Sequence, residues 1–256
     1  MFGKIEIVDA EDARYLLLSG QIQGGSFHHP SAQSTVPGLR GVGAVAASSY
    51  MAGWLLAGAM HPAASVVCVG LGSGAGIIQL LACCPSVDVT VVEIDPVMVE
   101  VARKAFPLLQ YYEMVGRLNI ATADAKDYLD SEDMFDVGLA DAYDGTSYNI
   151  KDSYMPALFS RCKHVYANVI DAITGQSTRH LLELAHKFDK PIKYRLHATV
   201  DQPIESAQYQ PANWIMTTDN LNPLLLDQLH PFNELPDCAA IEYANQSYAH
   251  LTSQVA

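Results

Sequence analysis

The chain has 256 residues, 28 acidic and 15 basic, for a formal net charge of -13. Half of the residues are hydrophobic and 17% are charged, which with 13 Tyr, 7 Phe and 2 Trp excludes a disordered chain and allows a sizeable core. Phosphate backbones are bound through Lys and Arg, and the sequence has no basic run, so no nucleic-acid partner is expected. The charge is also uneven. No Asp, Glu, Lys or Arg occurs from Gly41 to Val87, whereas 88–150 holds 13 acids and 4 bases, -9 of the total.

In chain order, Lys4–Val8, Ala13–Leu18 and Gln21–Gln23 are short stretches separated by turn residues at Asp9–Asp12 and Ser19-Gly20. They predict a small antiparallel β-ribbon, followed by a loop over Gly24–Gly41. The opening residues carry no cationic stretch leading into an apolar one, so a cytoplasmic protein is expected. Gly41–Met60 is long enough to span a bilayer. Its Gly, Ala and Ser content, central Trp54 and flanking Arg40 and His61-Pro62 fit a buried helix over 43–59 better, and no membrane partner is expected.

Strands and helices then alternate: strand 65–70, helix 75–84, strand 87–93, helix 96–105, strand 118–121, helix 125–130, strand 135–140, helix 152–160, strand 165–170 and helix 176–187. Strands 192–200 and 213–218 follow, close enough to pair antiparallel. Near-continuous apolar strands between helices mean a parallel sheet covered on both faces. The expectation is an α/β chain, with a β-ribbon and loop over 1–40 and a Rossmann-like domain over 41–256.

The five cysteines are odd in number and form no C-x-x-C pair, which predicts reduced thiols. The vicinal Cys83-Cys84 pair is either redox-active or, more commonly for such residues, a pair of small buried hydrophobes. His28 and His29 lie in the predicted loop and are read as a solvated pair before an acid–base pair. The other seven histidines lack ligand spacing, and no metal is expected. Trp54, Tyr111 and Tyr112 are read as packing residues.

The chemistry concentrates after the first strand of the alternating region, in Gly70-Leu-Gly72-Ser-Gly74-Ala-Gly76. Glycines allow a tight turn and a ligand's close approach to a helix N-terminus. The G-x-G-x-G spacing suits an adenosylmethionine-type loop, and no Gly-Lys-Ser/Thr follows to make a Walker A loop. Glu93 ends the next strand, 17 residues after Gly76, where an acid accepts both hydroxyls of a ribose. Asp124 follows the third strand, where a carboxylate accepts from an adenine amino group or caps a helix. Asp141 ends the fourth strand and faces the same crevice.

These residues, together with Arg14–Gln23, Val66–Gly76, Val91–Pro96, Ala123–Ala125 and Asp141-Ala-Tyr-Asp-Gly145, resemble the spermidine synthase (polyamine aminopropyltransferase) family and its spermidine-synthase-like relatives. The resemblance implies a Rossmann-like class I methyltransferase fold behind an N-terminal β-ribbon, usually as a dimer or tetramer, and a homodimer is expected here. It implies an adenosyl ligand, whether S-adenosylmethionine, its decarboxylated form or methylthioadenosine. That ligand would be held by Gln23, Gly70, Gly72, Ser73, Gly74, Glu93, Ile94, Asp124 and Ala125. Asp141 matches the first acid of the family's D-x-x-D motif, which takes a proton from the attacking amine. Asp144 matches the second, and Tyr50 and Tyr143 join it on the side of a small-molecule amine or other small nucleophile. Ser73 stands where the family carries an Asp that pairs with the amine tail of the decarboxylated ligand, so a methyltransferase acting on another substrate, or a non-catalytic adenosyl-ligand binder, stays open. A nicotinamide-dependent oxidoreductase fits the loop spacing less well.

Overall fold

The structure, a computed structural model, describes residues 3–10, 13–27, 52–131, 134–142, 152–171, 176–197 and 212–220. The ribbon comprises β1 (Ile5–Asp9), β2 (Ala13–Leu18) and β3 (Gln21–Phe27), paired antiparallel in that order. Ser19 and Gly20 join β2 to β3 with φ of 51° and 79°, the two positive values that a type I′ hairpin demands. The expected loop at Gly24 starts later. β3 continues to Phe27, with Ser26 opposite Arg14 and a register shift between Leu16 and Leu17 absorbing the irregularity.

Among the described residues the second sheet has seven strands, in the order β6-β5-β4-β7-β8-β10-β9. These are β4 (Ser65–Val69), β5 (Asp88–Glu93), β6 (Leu118–Thr122), β7 (Phe135–Ala140), β8 (Cys162–Asp171), β9 (Tyr194–His197) and β10 (Ala212–Thr217). Strands β4 to β8 are parallel, and β10 runs antiparallel to both β8 and β9. This is the Rossmann-like, methyltransferase-type sheet that the sequence leads one to expect. The helices are α1 (Ala52–Met60), α2 (Ala75–Cys83), α3 (Pro96–Ala105), α4 (Leu108–Met114), α5 (Ala125–Ser131), α6 (Met155–Arg161) and α7 (Gln176–Lys187). α4 is not among the expected elements, because its seven residues are too short for a clear period. Among the described residues, no helix is long and apolar enough to cross a membrane. Residues 43–51 of the expected first helix lie outside the described residues.

β4 accounts for the central part of the uncharged block. Side chains alternate across a strand, and both faces of β4 are buried. Val66 and Cys68 pack in the core formed with α1, α2, α3 and α4, whereas Val67 and Val69 pack in the core of α5, α6 and α7. The ribbon shares the first core through Leu16 and Leu18. Arg14 ties it further, gripping Asp9 with two hydrogen bonds and donating Nη1–H to the Ala105 carbonyl at the end of α3. Cys68, Cys83, Cys84 and Cys162 are buried free thiols. Burial pushes Cys83 up to about 11 and Cys84 higher still, so the vicinal pair stays as neutral thiols and packs as small hydrophobes.

Arg117 closes the far end of α2. A helix leaves its last carbonyls without partners, and here Arg117 donates to Leu81 O at 2.8 Å, Cys84 O at 2.5 Å and Val87 O at 2.7 Å, with its guanidinium 5.8 Å from the centre of the Tyr112 ring. Arg117→Ala strips a cationic donor from three carbonyls and is expected to cost roughly 3 kcal/mol. Urea denaturation checks this; a loss under about 0.5 kcal/mol would show that the carbonyls find other partners.

Candidate functional site

The order of the strands reverses between β4 and β7. In open α/β sheets the crevice outside the carboxyl ends at that point receives the ligand. A cavity of about 420 Å³ opens there, within the range of small-molecule sites. The tips of β4, β5, β6 and β7 line it with Gly70, Gly72, Glu93, Ile94, Asp95, Asp124, Ala125 and Asp141. Gln23 and Ile22 line it from the ribbon, and Asn168 and Ile170 from β8.

Two glycines set this geometry. At Gly70 (φ 96°) a Cβ would stand 2.7 Å from the Asp141 carbonyl oxygen, and at Gly72 (φ 50°) one would stand 2.6 Å from the Gln23 carbonyl oxygen. Only glycine therefore lets the loop bring the β4 tip against β7 and lay it beneath the ribbon. Ser73 is fully buried, and its Oγ accepts from Ala75 N–H at 3.2 Å, serving one of the unpaired donors at the start of α2. Neither Ser73 nor Gly74 lines the cavity; they shape the loop from behind.

Glu93 is built into that loop. Its Oε2 accepts from Leu71 N–H at 2.9 Å and its Oε1 from Asp95 N–H at 3.0 Å. A carboxylate has about four acceptor positions, so one further position on each oxygen suits a vicinal diol. Asp124 both caps a helix and lines the cavity: its Oδ1 accepts from Lys126 N–H at 2.8 Å, at the start of α5. Asp95 likewise caps α3 through Val97 N–H at 2.9 Å.

Asp141 follows β7 and continues its pairing with β4, donating N–H to the Val69 carbonyl at 2.9 Å. Its Oδ1 accepts from Asn168 Nδ2 at 2.9 Å. Asn168 is a site residue beyond those expected, and its signal is an amide within the apolar Val165-Tyr-Ala-Asn-Val-Ile: a buried polar side chain needs a partner. Beneath the site lies Cys68, fully buried; burial first, then the charges of Asp141 and Glu93, push its thiol well up. It is a neutral neighbour of the two acids. Tyr154, buried at the start of α6, and Ser153 complete that wall. Tyr50, Tyr143, Asp144, His28 and His29 lie outside the described residues.

Burial raises the Glu93 carboxyl above its ordinary value of 4.5, against the lowering effect of the Asp95 and Leu71 N–H groups. A carboxyl with a raised pKa in the fold binds its proton more tightly there than when unfolded, so its contribution to stability falls as pH rises from about 4.5 through the raised value. Glu93→Gln is expected to remove this segment from the pH–stability curve. Denaturant titrations of both proteins between pH 4 and 7 check it, and parallel curves would contradict the shift.

No family profile and no curated protein sequence matches the chain. Similarity appears among solved structures. A probable spermidine synthase from Corynebacterium glutamicum superposes with a TM-score of 0.62 at 14% identity, over 94% of this chain and 82% of that one. A spermidine synthase from Thermotoga maritima gives 0.52 at 14% identity, over 98% and 88%. A spermidine synthase in complex with the transition state analogue AdoDATO gives 0.52 at 13% identity, over 98% and 89%. At such identities the likeness is one of fold, and it spans the ribbon as well as the large sheet: the chain has the fold of the spermidine synthases.

Proposed function

We propose that the protein is a spermidine-synthase-like transferase. It binds S-adenosylmethionine, its decarboxylated form or methylthioadenosine, and passes an aminopropyl or methyl group to an amine or other small nucleophile. The observation that carries this reading is the convergence of Glu93, Asp124 and Asp141 on one cavity over the Gly70–Gly74 loop. The ligand of the AdoDATO-bound relative supports an adenosyl-type ligand. Glu93 takes the ribose hydroxyls, Asp124 the adenine amino group, and Gln23 closes the site from the ribbon.

In the transfer step, Asp141 accepts a proton from the amine, whose nitrogen lone pair then attacks the carbon next to the sulfonium. The carbon–sulfur bond breaks, its electron pair stays on sulfur, and a neutral thioether leaves. Asn168 holds Asp141 in orientation by donating to Oδ1, and the carboxylate lines the cavity in which the amine would lie. Carboxylates around the crevice favour both the cationic sulfonium and the cationic amine. Because Ser73 turns inward and carries no charge, the acid partner for a decarboxylated ligand's amine tail is missing from the loop. Ordinary S-adenosylmethionine, with its carboxylate, is the donor this loop tolerates best. The working unit is a homodimer acting in the cytoplasm.

Calorimetric titration with S-adenosylmethionine, its decarboxylated form, methylthioadenosine and NAD tests the reading. Binding of the adenosyl-sulfur ligands with the decarboxylated form no tighter than S-adenosylmethionine is expected; preference for the decarboxylated form would overturn the Ser73 argument, and binding of NAD alone the whole assignment. Asp141→Asn is expected to abolish transfer while keeping ligand affinity within about tenfold, roughly 1.4 kcal/mol. Unchanged transfer would remove Asp141 as the base.

A further inference from the structure

A second cluster of chemistry-bearing side chains lies at the opposite edge of the large sheet. His61 follows α1 in the turn leading to β4, His164 is the third residue of β8, and Asp219 lies just past β10. The first two sit at the amino ends of parallel strands. Because β10 runs antiparallel, with Thr217 opposite Tyr166, its carboxyl end arrives at the same edge. His164 and Asn168 are four residues apart on β8, so this cluster is roughly 13 Å from the cavity along the strand.

We propose that His61, His164 and Asp219 form a binding site for a divalent first-row transition cation, with no part in the transfer chemistry. Their donor atoms, two imidazole nitrogens and a carboxylate oxygen, all lie within 4.8 Å of one another. Two imidazoles and one carboxylate are a donor set suited to zinc and its neighbours and poor for magnesium, which prefers oxygen and retains water. His61 offers Nε2 and His164 offers Nδ1, each already directed at Asp219: His61 Nε2 contacts Oδ2, and His164 Nδ1 lies 3.0 Å from Oδ1. In the cation-bound form both imidazoles are neutral, with their protons on the other ring nitrogens.

The carboxylate is fixed from behind, as metal ligands commonly are. The buried Tyr166 hydroxyl donates to Asp219 Oδ2 at 2.7 Å, and Asp219 N–H donates to Thr217 Oγ1 at 3.1 Å. The two imidazoles stack with centroids 4.2 Å apart. Their side chains are 18% and 36% exposed while Asp219 is 9% exposed, so the site is rigid on its protein side and open to solvent, where water would complete a coordination shell. A cation here would pin three segments more than 50 residues apart in sequence: the α1–β4 turn, β8 and the end of β10. It would hold the antiparallel strand onto the parallel sheet.

The test uses chelator-stripped full-length protein, with zinc chloride as the probe and magnesium chloride as the control, read by calorimetry and thermal unfolding. One zinc per chain is expected, with a dissociation constant of micromolar or below and a raised Tm, and no effect of magnesium. His164→Ala and Asp219→Asn are each expected to weaken zinc binding at least tenfold. Far-ultraviolet circular dichroism confirms that each variant folds, and His61→Gln stands in for either one that does not. Absence of zinc binding by the wild-type chain, or equal binding by the folded variants, would overturn the proposal and leave the cluster as a hydrogen-bonded brace.

Discussion

The burial of β4 on both faces is the constraint on which the rest depends. A strand enclosed by two cores has no place for a charged side chain, so Val66, Val67, Cys68 and Val69 are all apolar. Polar chemistry is thereby displaced to the strand tips. There Gly70 and Gly72 allow backbone approaches that a Cβ would block, against Asp141 and Gln23 respectively. Among the described residues, much of the uncharged stretch from 52 to 87 is interior, and Glu93, Asp95, Asp124 and Asp141 from the acidic stretch sit at the rim.

At that rim the acids do double work. Glu93 accepts two loop N–H groups, and Asp95 and Asp124 cap the helices that follow their strands. These loop and cap bonds therefore leave room for the ligand contacts proposed for Glu93 and Asp124. The cap fixes the carboxylate's position, and a carboxylate's remaining acceptor capacity faces the cavity. The same economy explains the ribbon. It closes a core through Leu16 and Leu18, and it presents Gln23 over the glycine loop.

Much of this was legible in the sequence, because period-2 and period-3.6 patterns report burial directly. The ribbon, the alternating strands and helices, and the acids at three successive strand tips could all be read there. Most of what escaped was set by contacts between distant segments. α4 is one short helix held by Tyr112 and Leu109 in the core. Asn168 was masked by its apolar neighbours until β8 was placed beside β7. The inward turn of Ser73 is a local hydrogen-bond choice that composition does not encode. The histidines that lacked ligand spacing along the chain proved to include two, His61 and His164, that stack in space, because spacing reveals only sites built on one segment.

In the proposed complex the strand-tip acids hold an adenosyl ligand over the glycine loop. A crystal structure of the protein with methylthioadenosine tests it most directly. The ribose hydroxyls are expected within hydrogen-bond distance of both Glu93 carboxylate oxygens, with the adenine amino group at Asp124. A ligand bound away from the Gly70–Gly74 loop, or with its ribose turned from Glu93, would contradict it.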